Sequence, residues 1–281
     1  MNAIALKGIT KTYPSFTLGP VSLSLPAGCI MGLVGENGAG KTTLIRSMMG
    51  ATQLSAGTAS VLGVDNQSPA FYDVKEDVGV VLDEAFFPET LSPRDIGRIM
   101  AATYRRWDDA AYQSWLTSFN LPEKQHFREF SRGMKMKLAI AVALSHAPKL
   151  LVLDEPTGGL DPVVRDEILT VFSDFAREED HAVLISSHIV SDLEKICDYI
   201  ACLHRGKLLL CEEKDRLLED YAVVKLSRDD LAALPQDAIH GRRETPYCVE
   251  ALVERGKLPA HLRTEHATLE DILLFLVKEG D

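Results

Sequence analysis

Residues 30–43 read IMGLVGENGAGKTT, and this stretch decides the fold. Its first five residues are continuously apolar, which is typical of a strand covered on both faces. The next eight, from Gly35 to Thr42, fit the pattern G-x-x-x-x-G-K-S/T of a phosphate-binding loop. In such a loop, backbone N–H groups and the start of the following helix attract phosphate oxygens. The stretch therefore predicts a strand, a phosphate loop and a helix that ends near Gly50.

The side chains of this loop predict a nucleotide site. Lys41 would reach the β- and γ-phosphates, and the hydroxyl group of Thr42 could bind Mg²⁺. A plain glycine-rich turn is the alternative, which the flanking strand and helix disfavour. We therefore expect ATP and Mg²⁺ as cofactors. The predicted ATP-binding residues are Gly35, Glu36, Asn37, Gly38, Ala39, Gly40, Lys41, Thr42 and Thr43.

A second apolar run, residues 150–153, ends in two acids, Asp154 and Glu155. The end of a buried strand is a costly place for two carboxylates unless a cation or hydrogen-bond donors receive them. Beside a phosphate loop, Asp154 would hold Mg²⁺ through water, and Glu155 would face the attacking water as general base. Two solvated acids at a strand end are the alternative. A third apolar run, residues 182–185, also precedes a polar cluster.

The composition is that of a soluble globular protein, with 46% apolar and 25% charged residues in a chain of 281. This excludes disorder, collagen and a long coiled coil. The formal net charge of −11 would repel nucleic acid, so no nucleic-acid partner is expected. No apolar run approaches the ~18 residues of a membrane-crossing helix, and no secretory signal is visible. We expect a cytoplasmic protein whose cysteines are reduced.

The chain divides into segments whose hydrophobic residues recur with different periods. Residues 1–30 alternate with the period of strands and predict an antiparallel β-layer, whereas residues 93–147 have helical spacing and predict a helical insert. Asp161 followed by Pro162 predicts another helix start. Strands that alternate with helices indicate a parallel sheet. Residues 221–281 contain a predicted strand at 222–226 and a helix opened by a capping box of Thr268 and Asp271.

The predicted fold class is therefore α/β. It comprises a P-loop NTPase core with a mostly parallel sheet, an N-terminal antiparallel β-layer, a helical insert and a small C-terminal α+β extension. We place a nucleotide-binding domain at residues 1–220, with a helical subdomain at about 84–147. A small accessory C-terminal module follows at residues 221–281.

With these motifs in this order, the chain resembles the ATP-binding cassette (ABC) family over roughly residues 1–215. The resemblance also rests on an aromatic residue before the first turn, a signature segment, a loop after the second motif and a histidine after the third strand. These are Tyr13, the segment Phe130-Ser131-Arg132-Gly133-Met134, the loop Gly159-Leu160-Asp161, and His188. The resemblance implies an ABC-type nucleotide-binding domain at residues 1–220.

The resemblance also implies roles for these residues. Tyr13 would stack on adenine, and His188 would sense the γ-phosphate as part of the catalytic set with Lys41 and Glu155. Asp161 would cross a dimer interface. The signature residues Ser131, Arg132, Gly133 and Met134 would act in trans, with Ser131 and Gly133 on the γ-phosphate of the nucleotide held by the opposite subunit. Physical reasoning supports part of this, because free N–H groups at the start of the signature helix form an anion site.

The chain departs from the family pattern at two places. Asp83 stands where the family has a glutamine after the edge strand, and a carboxylate there can still bind Mg²⁺. The predicted Mg²⁺ ligands are therefore Thr42, Asp83 and Asp154. The signature keeps only its serine and second glycine, at Ser131 and Gly133. This pattern is similar to ABC-2-type exporter cassettes, including those of bacterial peptide-exporting and peptide-resistance systems.

These observations predict an ATPase subunit that drives a membrane-spanning permease on a separate chain. Two cassettes, in a homodimer or a heterodimer, would sandwich two ATP molecules, and the protein would lie on the inner face of the cell membrane through its partner. The permease is expected to dock near Phe86 and Phe87. A soluble cassette ATPase acting on DNA or the ribosome is one alternative, although the chain lacks a long coiled-coil insertion and a tandem cassette. A non-catalytic nucleotide-gated regulator would lose the general base, and Glu155 is present.

Overall fold

The computed structural model describes residues 1–83, 87–259 and 262–279, and these residues form three sheets and ten helices. The strands are β1 (Asn2–Tyr13), β2 (Phe16–Pro26), β3 (Ile30–Val34), β4 (Ala56–Val61), β5 (Val64–Asp65), β6 (Val78–Val81), β7 (Leu150–Asp154), β8 (Ala182–Ser187), β9 (Tyr199–His204), β10 (Lys207–Glu213), β11 (Tyr221–Leu226), β12 (Ile239–Glu244), β13 (Val249–Glu254) and β14 (Glu265–His266). The helices are α1 (Lys41–Met48), α2 (Phe71–Val74), α3 (Pro93–Thr103), α4 (Asp109–Ser118), α5 (Arg132–Leu144), α6 (Pro162–Phe175), α7 (Val190–Ile196), α8 (Lys214–Asp220), α9 (Arg228–Ala232) and α10 (Leu269–Glu279).

The central sheet has six strands in the order β10-β9-β3-β8-β7-β6. All neighbours are parallel except the β9–β10 hairpin, so the prediction of a mostly parallel sheet is confirmed. Every residue of β3, β7 and β8 is buried, because helices or a second sheet cover both faces. In the strand register Val34 lies beside Ser187 and Asp154 beside Ser186, so the carboxyl ends of β3, β8 and β7 meet at one edge.

The predicted N-terminal β-layer is present and is larger than expected. Its antiparallel order is β2-β1-β4-β5, so two strands from residues 56–65 join the two that alternation predicted. The buried face of this layer, with Ile4 and Leu18, packs in one hydrophobic cluster with Leu33 of β3 and Leu44 of α1. This packing fixes the first hairpin beside the phosphate loop.

The helical insert contains α3, α4 and α5, and the last of these helices ends before residue 147, where the predicted insert ends. The first ends at Thr103, where Tyr104 leaves the helix and stacks on His146 with ring centroids 4.1 Å apart. Helix α5 ends at Leu144 instead of Ala147, which has a φ of 52° before Pro148. Among the described residues, no helix is long and apolar enough to cross a membrane.

The C-terminal residues form the third sheet and pack on the cassette through α10. Their sheet has the order β12-β13-β11-β14, and α10 begins after a capping box in which Thr268 and Asp271 exchange hydrogen bonds of 3.1 Å. Ile272 of α10 is fully buried in the same hydrophobic cluster as Leu193 of α7. The core is therefore continuous across residue 220, where we predicted a domain boundary.

Because this core is shared, alanine substitutions at two neighbouring positions of α10 should lower the free energy of unfolding by different amounts. Ile272→Ala should lower the free energy of unfolding by about 2–5 kcal/mol, because it leaves a cavity between α10 and α7. Leu274 is 39% exposed and serves as the matched control, and Leu274→Ala should change the free energy by less than about 0.5 kcal/mol. Urea unfolding measures both. Equal effects of the two substitutions would contradict the shared core.

Candidate functional site

The phosphate loop lies between β3 and α1, and glycines set its shape. Gly38 and Gly40 have φ values of 84° and 110°, a backbone conformation that other residues rarely adopt. A Cβ atom on Gly40 would also come within 3.0 Å of the Phe16 ring. The loop borders a cavity of about 480 Å³ lined by Phe16, Glu36, Asn37, Gly38, Gly40, Lys41, Thr42, Thr43, Asp83, Asp154 and Glu155. Most of the predicted phosphate-loop residues and both strand-end acids therefore face one space.

Asp154 is a buried carboxylate held by two hydroxyl groups. The Thr42 hydroxyl donates to its Oδ2 at 2.7 Å, and the Ser186 hydroxyl donates to its Oδ1 at 2.6 Å. The residue is only 3% exposed, and within the described part of the chain it forms no ion pair. Ser186 also receives the backbone N–H of Glu155 at 3.0 Å. No sequence pattern assigned this serine a role, although it belongs to the polar cluster after the third apolar run.

Glu155 connects the phosphate loop to the third strand. Its Oε1 lies 3.1 Å from the Lys41 ammonium, and its Oε2 lies 2.7 Å from Nδ1 of His188. Lys41 is 6% exposed and also donates to the Gly35 carbonyl at 2.6 Å. Glu155 adopts a φ of 52°, an unusual conformation that the hydrogen bonds to Ser186 hold in place. The structure thus brings together the three predicted catalytic residues.

The oxygen donors at this site fit Mg²⁺. The Thr42 hydroxyl and the carboxylates of Asp154 and Asp83 line or border the same cavity, and hard oxygen ligands are those that Mg²⁺ prefers. The burial of Asp154 without a cationic side chain beside it supports the fit, since a bound cation would compensate the buried charge. Thr42, Asp83 and Asp154 therefore remain the predicted Mg²⁺ ligands.

The predicted signature residues form a separate surface. Ser131 caps α5 by accepting the Met134 N–H at 3.2 Å, and Asp161 caps α6 by accepting two N–H groups at 3.1 Å. A cavity of about 390 Å³ is lined by Phe119, Ser131, Arg132, Gly133, Met134, Lys137, Gly159, Leu160, Asp161 and Val164. This lining and that of the phosphate-loop cavity have no residue in common. Within one chain, the signature and the phosphate loop are two distinct surfaces.

Two residues that depart from the family pattern contact each other and connect these two surfaces. Arg132 of the signature donates to Oδ1 of Asp83 at 3.1 Å. Both side chains are more than half exposed, at 55% and 53%, so the pair is worth at most about 1 kcal/mol. Arg132 therefore competes only weakly with a cation for Asp83. The residues are 49 positions apart, and no local pattern in the sequence indicates this pair.

Two aromatic residues, Tyr13 and Phe16, flank the first hairpin turn and have different surroundings. Tyr13, predicted to stack on adenine, is 38% exposed at the end of β1, with the Lys11 ammonium 5.2 Å from its ring centroid. Phe16 lies opposite Tyr13 in the strand pair and lines the phosphate-loop cavity. The role of Tyr13 stays a prediction. Phe16 is a site residue that sequence reasoning missed, and its place beside the same turn is the signal that could have found it.

The sequence model of the ABC transporter family matches residues 18–158. The chain belongs to the ABC transporter family. It is 33% identical over 209 residues to a bacitracin transport ATP-binding protein, BcrA, of Enterococcus faecalis, covering 73% of this chain and 68% of that one. It is 31% identical to the lantibiotic transport ATP-binding protein SrtF of Streptococcus pyogenes over 75% of this chain and 91% of that one.

Solved structures support the same fold. The ATP-binding subunit of an ABC transporter superposes with a TM-score of 0.68 at 26% identity, over 77% of this chain and 92% of that one. The ATP-binding cassette MJ0796, solved as a dimer bound to ADP and Pi, gives a TM-score of 0.67 at 20% identity, over 75% of this chain and 98% of that one. The chain is an ATP-binding and ATP-hydrolysing subunit of the ABC type, with the P-loop NTPase fold that the sequence predicted.

The geometry at Asp83 makes a prediction about Mg²⁺. If Asp83 is a ligand on the Mg²⁺ side, Asp83→Ala should raise the Mg²⁺ concentration needed for half-maximal ATP hydrolysis, with ATP affinity in EDTA unchanged. Arg132→Gln should not raise the Mg²⁺ requirement, because it frees the same carboxylate. Asp174, an exposed acid on α6, provides the control Asp174→Ala. An unaltered Mg²⁺ dependence in Asp83→Ala would remove this residue from the ligand set.

Proposed function

We propose that this ABC ATPase powers the export of a peptide through a membrane-spanning permease on a separate chain. The hydrolytic part of the proposal is carried by the position of Glu155 between Lys41 and His188 at the edge of the phosphate-loop cavity. The names of the relatives, which are transport proteins for bacitracin and a lantibiotic, support a peptide as the cargo. The protein would lie at the inner face of the cell membrane through its permease.

The chemistry is attack of water on the γ-phosphate of ATP. Lys41 binds phosphate oxygens and stabilises the charge that spreads over them in the transition state. Glu155 accepts a proton from the attacking water, and His188 positions its carboxylate through the contact to Oε2. Thr42, Asp83 and Asp154 would hold Mg²⁺, which supplies positive charge beside the phosphate oxygens. Tyr13 or Phe16 would contact the adenine ring, and the loop glycines would let backbone N–H groups face the phosphates.

The signature surface supports a second cassette as partner. Ser131, Gly133 and Met134 lie at the start of α5, where N–H groups and the helix dipole favour an anion, yet they share no cavity with the phosphate loop of their own chain. We propose that they contact the γ-phosphate bound by an opposing cassette, with Asp161 at the interface between the two. The partner could be a second copy of this chain or a related cassette.

The docking site that we propose for the permease includes the end of the edge strand and helix α3. Phe86 and the rest of residues 84–86 lie outside the described residues. The ring of Phe87 packs edge-to-face on Phe127 at 5.6 Å between centroids, so part of its surface is used within the insert. Ile99 on α3 is 47% exposed, and an apolar side chain of this size supports a contact surface there.

A composite site can be tested by mixing defective subunits. Lys41→Ala removes the phosphate-loop cation, and Ser131→Arg blocks the signature. Random mixing of the two should raise ATP hydrolysis to roughly a quarter of the unsubstituted level, because half of the dimers would carry one intact site of two. Two differently tagged Lys41→Ala subunits provide the control, which should stay inactive. If mixed dimers form and remain as inactive as either parent, the signature does not act across a dimer.

Export can be tested with inverted membrane vesicles that contain the chain and its co-purifying membrane protein. Vesicles with the unsubstituted chain should accumulate labelled bacitracin or a lantibiotic when ATP is supplied, and vesicles with Lys41→Ala should not. The matched control Lys207→Ala changes an exposed lysine of β10 that lines neither site cavity. Purification without any membrane-spanning protein, or equal accumulation with Lys41→Ala, would contradict the proposal.

A further inference from the structure

Ser186 is a fully buried serine of β8 that lies beside both acids at the end of β7. In the register of the parallel β7–β8 pair, it stands opposite Asp154. Because side chains alternate along each strand, residues at matched positions of neighbouring strands point to the same face, which places the hydroxyl group beside the carboxylate. A buried hydroxyl group is unfavourable unless it is hydrogen-bonded, and both partners of this one belong to the candidate site.

The hydroxyl group of Ser186 forms a short chain of hydrogen bonds. It donates to Oδ1 of Asp154 at 2.6 Å and accepts the backbone N–H of Glu155 at 3.0 Å. A hydroxyl group has one hydrogen and two acceptor positions, so a hydroxyl that donates to a carboxylate can still accept from a backbone amide. Hydrogen bonds in such a chain polarise one another, and a charged acceptor strengthens the bond it receives. One side chain thus contacts two consecutive residues of the site.

On the side of Asp154, the bond from Ser186 fixes the orientation of the carboxylate. Thr42 donates to Oδ2 at 2.7 Å and Ser186 to Oδ1 at 2.6 Å, so each oxygen has its own donor. Without the second donor, the carboxylate would be free to turn about the bond that joins it to Cβ. Each oxygen keeps further acceptor positions for Mg²⁺. Removal of a partner that orients a metal ligand typically lowers metal affinity or activity about 10–100-fold.

On the side of Glu155, Ser186 supports an unusual backbone conformation. Glu155 has a φ of 52°, and Pro156 follows it. A residue other than glycine keeps such a conformation only where the surrounding contacts hold it. The Glu155 N–H is shared between the Ser186 hydroxyl at 3.0 Å and the Ser186 carbonyl at 3.2 Å. These bonds hold the chain as it leaves β7, at the point from which the Glu155 side chain reaches Lys41 and His188.

We propose that Ser186 is a positioning residue of the ATPase reaction, whose hydroxyl group couples the orientation of Asp154 to that of Glu155. Ser186 does not line the phosphate-loop cavity, so it acts through these two acids. The same hydroxyl group aims the Asp154 carboxylate and holds the backbone from which the general base extends. The proposal rests on the hydrolytic role proposed for Glu155 and on the ligand role predicted for Asp154.

Three substitutions at Ser186 separate hydrogen bonding from packing. Ser186→Ala removes the hydroxyl group, Ser186→Cys keeps a side chain of similar size with a weak donor, and Ser186→Thr keeps a hydroxyl group on a residue that strands accommodate. At saturating MgATP, kcat should fall at least about tenfold in Ser186→Ala and in Ser186→Cys, and it should stay within about threefold of the parent in Ser186→Thr. Urea unfolding checks that each variant is folded. If Ser186→Ala is not folded, Ser186→Cys carries the same expectation.

Nucleotide affinity supplies a measurement that does not depend on hydrolysis. Calorimetric titration in EDTA should give Ser186→Ala the ATP affinity of the parent, whereas its affinity for MgATP should be about tenfold lower than that of the parent. Ser145→Ala is the matched control, because Ser145 is equally buried and its hydroxyl donates to the Ala141 carbonyl within α5 at 2.6 Å. This control should leave kcat and both affinities within about twofold, since such a bond stays within its own helix.

The Glu155→Gln background distinguishes this proposal from the role of Glu155 itself. There, Ser186→Ala should lower kcat by less than about twofold, because the base through which it acts is already removed, while its effect on MgATP affinity persists. The proposal is overturned if Ser186→Ala retains the kcat and MgATP affinity of the parent, if Ser186→Cys is as active as the parent, or if the loss of kcat is equally large in both backgrounds. Near-normal turnover of Glu155→Gln alone would instead overturn the role of Glu155, and the MgATP affinity would still test the bond to Asp154.

Discussion

Two carboxylates at the end of a fully buried strand set the constraint on which this structure depends. Asp154 and Glu155 end or follow β7, whose residues are all buried. Burial of ionised carboxylates is unfavourable unless hydrogen-bond donors and cations surround them. The donors come from other strand ends: Thr42 in the helix after β3, Ser186 within β8, and His188 after β8. The parallel order β3-β8-β7 is what brings these groups to one edge.

The same arrangement explains why the site has the character of an ATPase site. Lys41 pairs with Glu155, and the oxygens of Asp154 accept only hydroxyl hydrogen bonds within the described part of the chain. A nucleotide phosphate and a divalent cation are the partners that this distribution of charge fits best. The signature surface lies apart on α5, and the exposed Arg132–Asp83 pair connects it to the cavity. A chain with two such separate anion-binding surfaces is suited to assembly with a second cassette.

Local sequence patterns predicted the features that local forces determine. The phosphate loop follows from glycine conformations, the strands from continuous apolar runs, and the starts of α6 and α10 from Asp161 and Thr268 as capping residues. Patterns could not predict contacts between distant segments. The bonds from Ser186 to Asp154, the Arg132–Asp83 pair and the packing of Ile272 beside Leu193 join residues 32, 49 and 79 positions apart. The end of α3 at Thr103 also depended on a tertiary contact, the stacking of Tyr104 on His146.

The most direct test of this account replaces the general base. Glu155→Gln keeps the shape of the side chain and removes the group that accepts the proton. We expect steady-state ATP turnover to fall at least ~10²-fold while ATP affinity is retained. Glu178→Gln, which alters an exposed acid after α6, should leave both quantities unchanged. Near-normal turnover by Glu155→Gln would contradict the assignment of Glu155, and with it the reading of the β7 carboxylates as the hydrolytic centre.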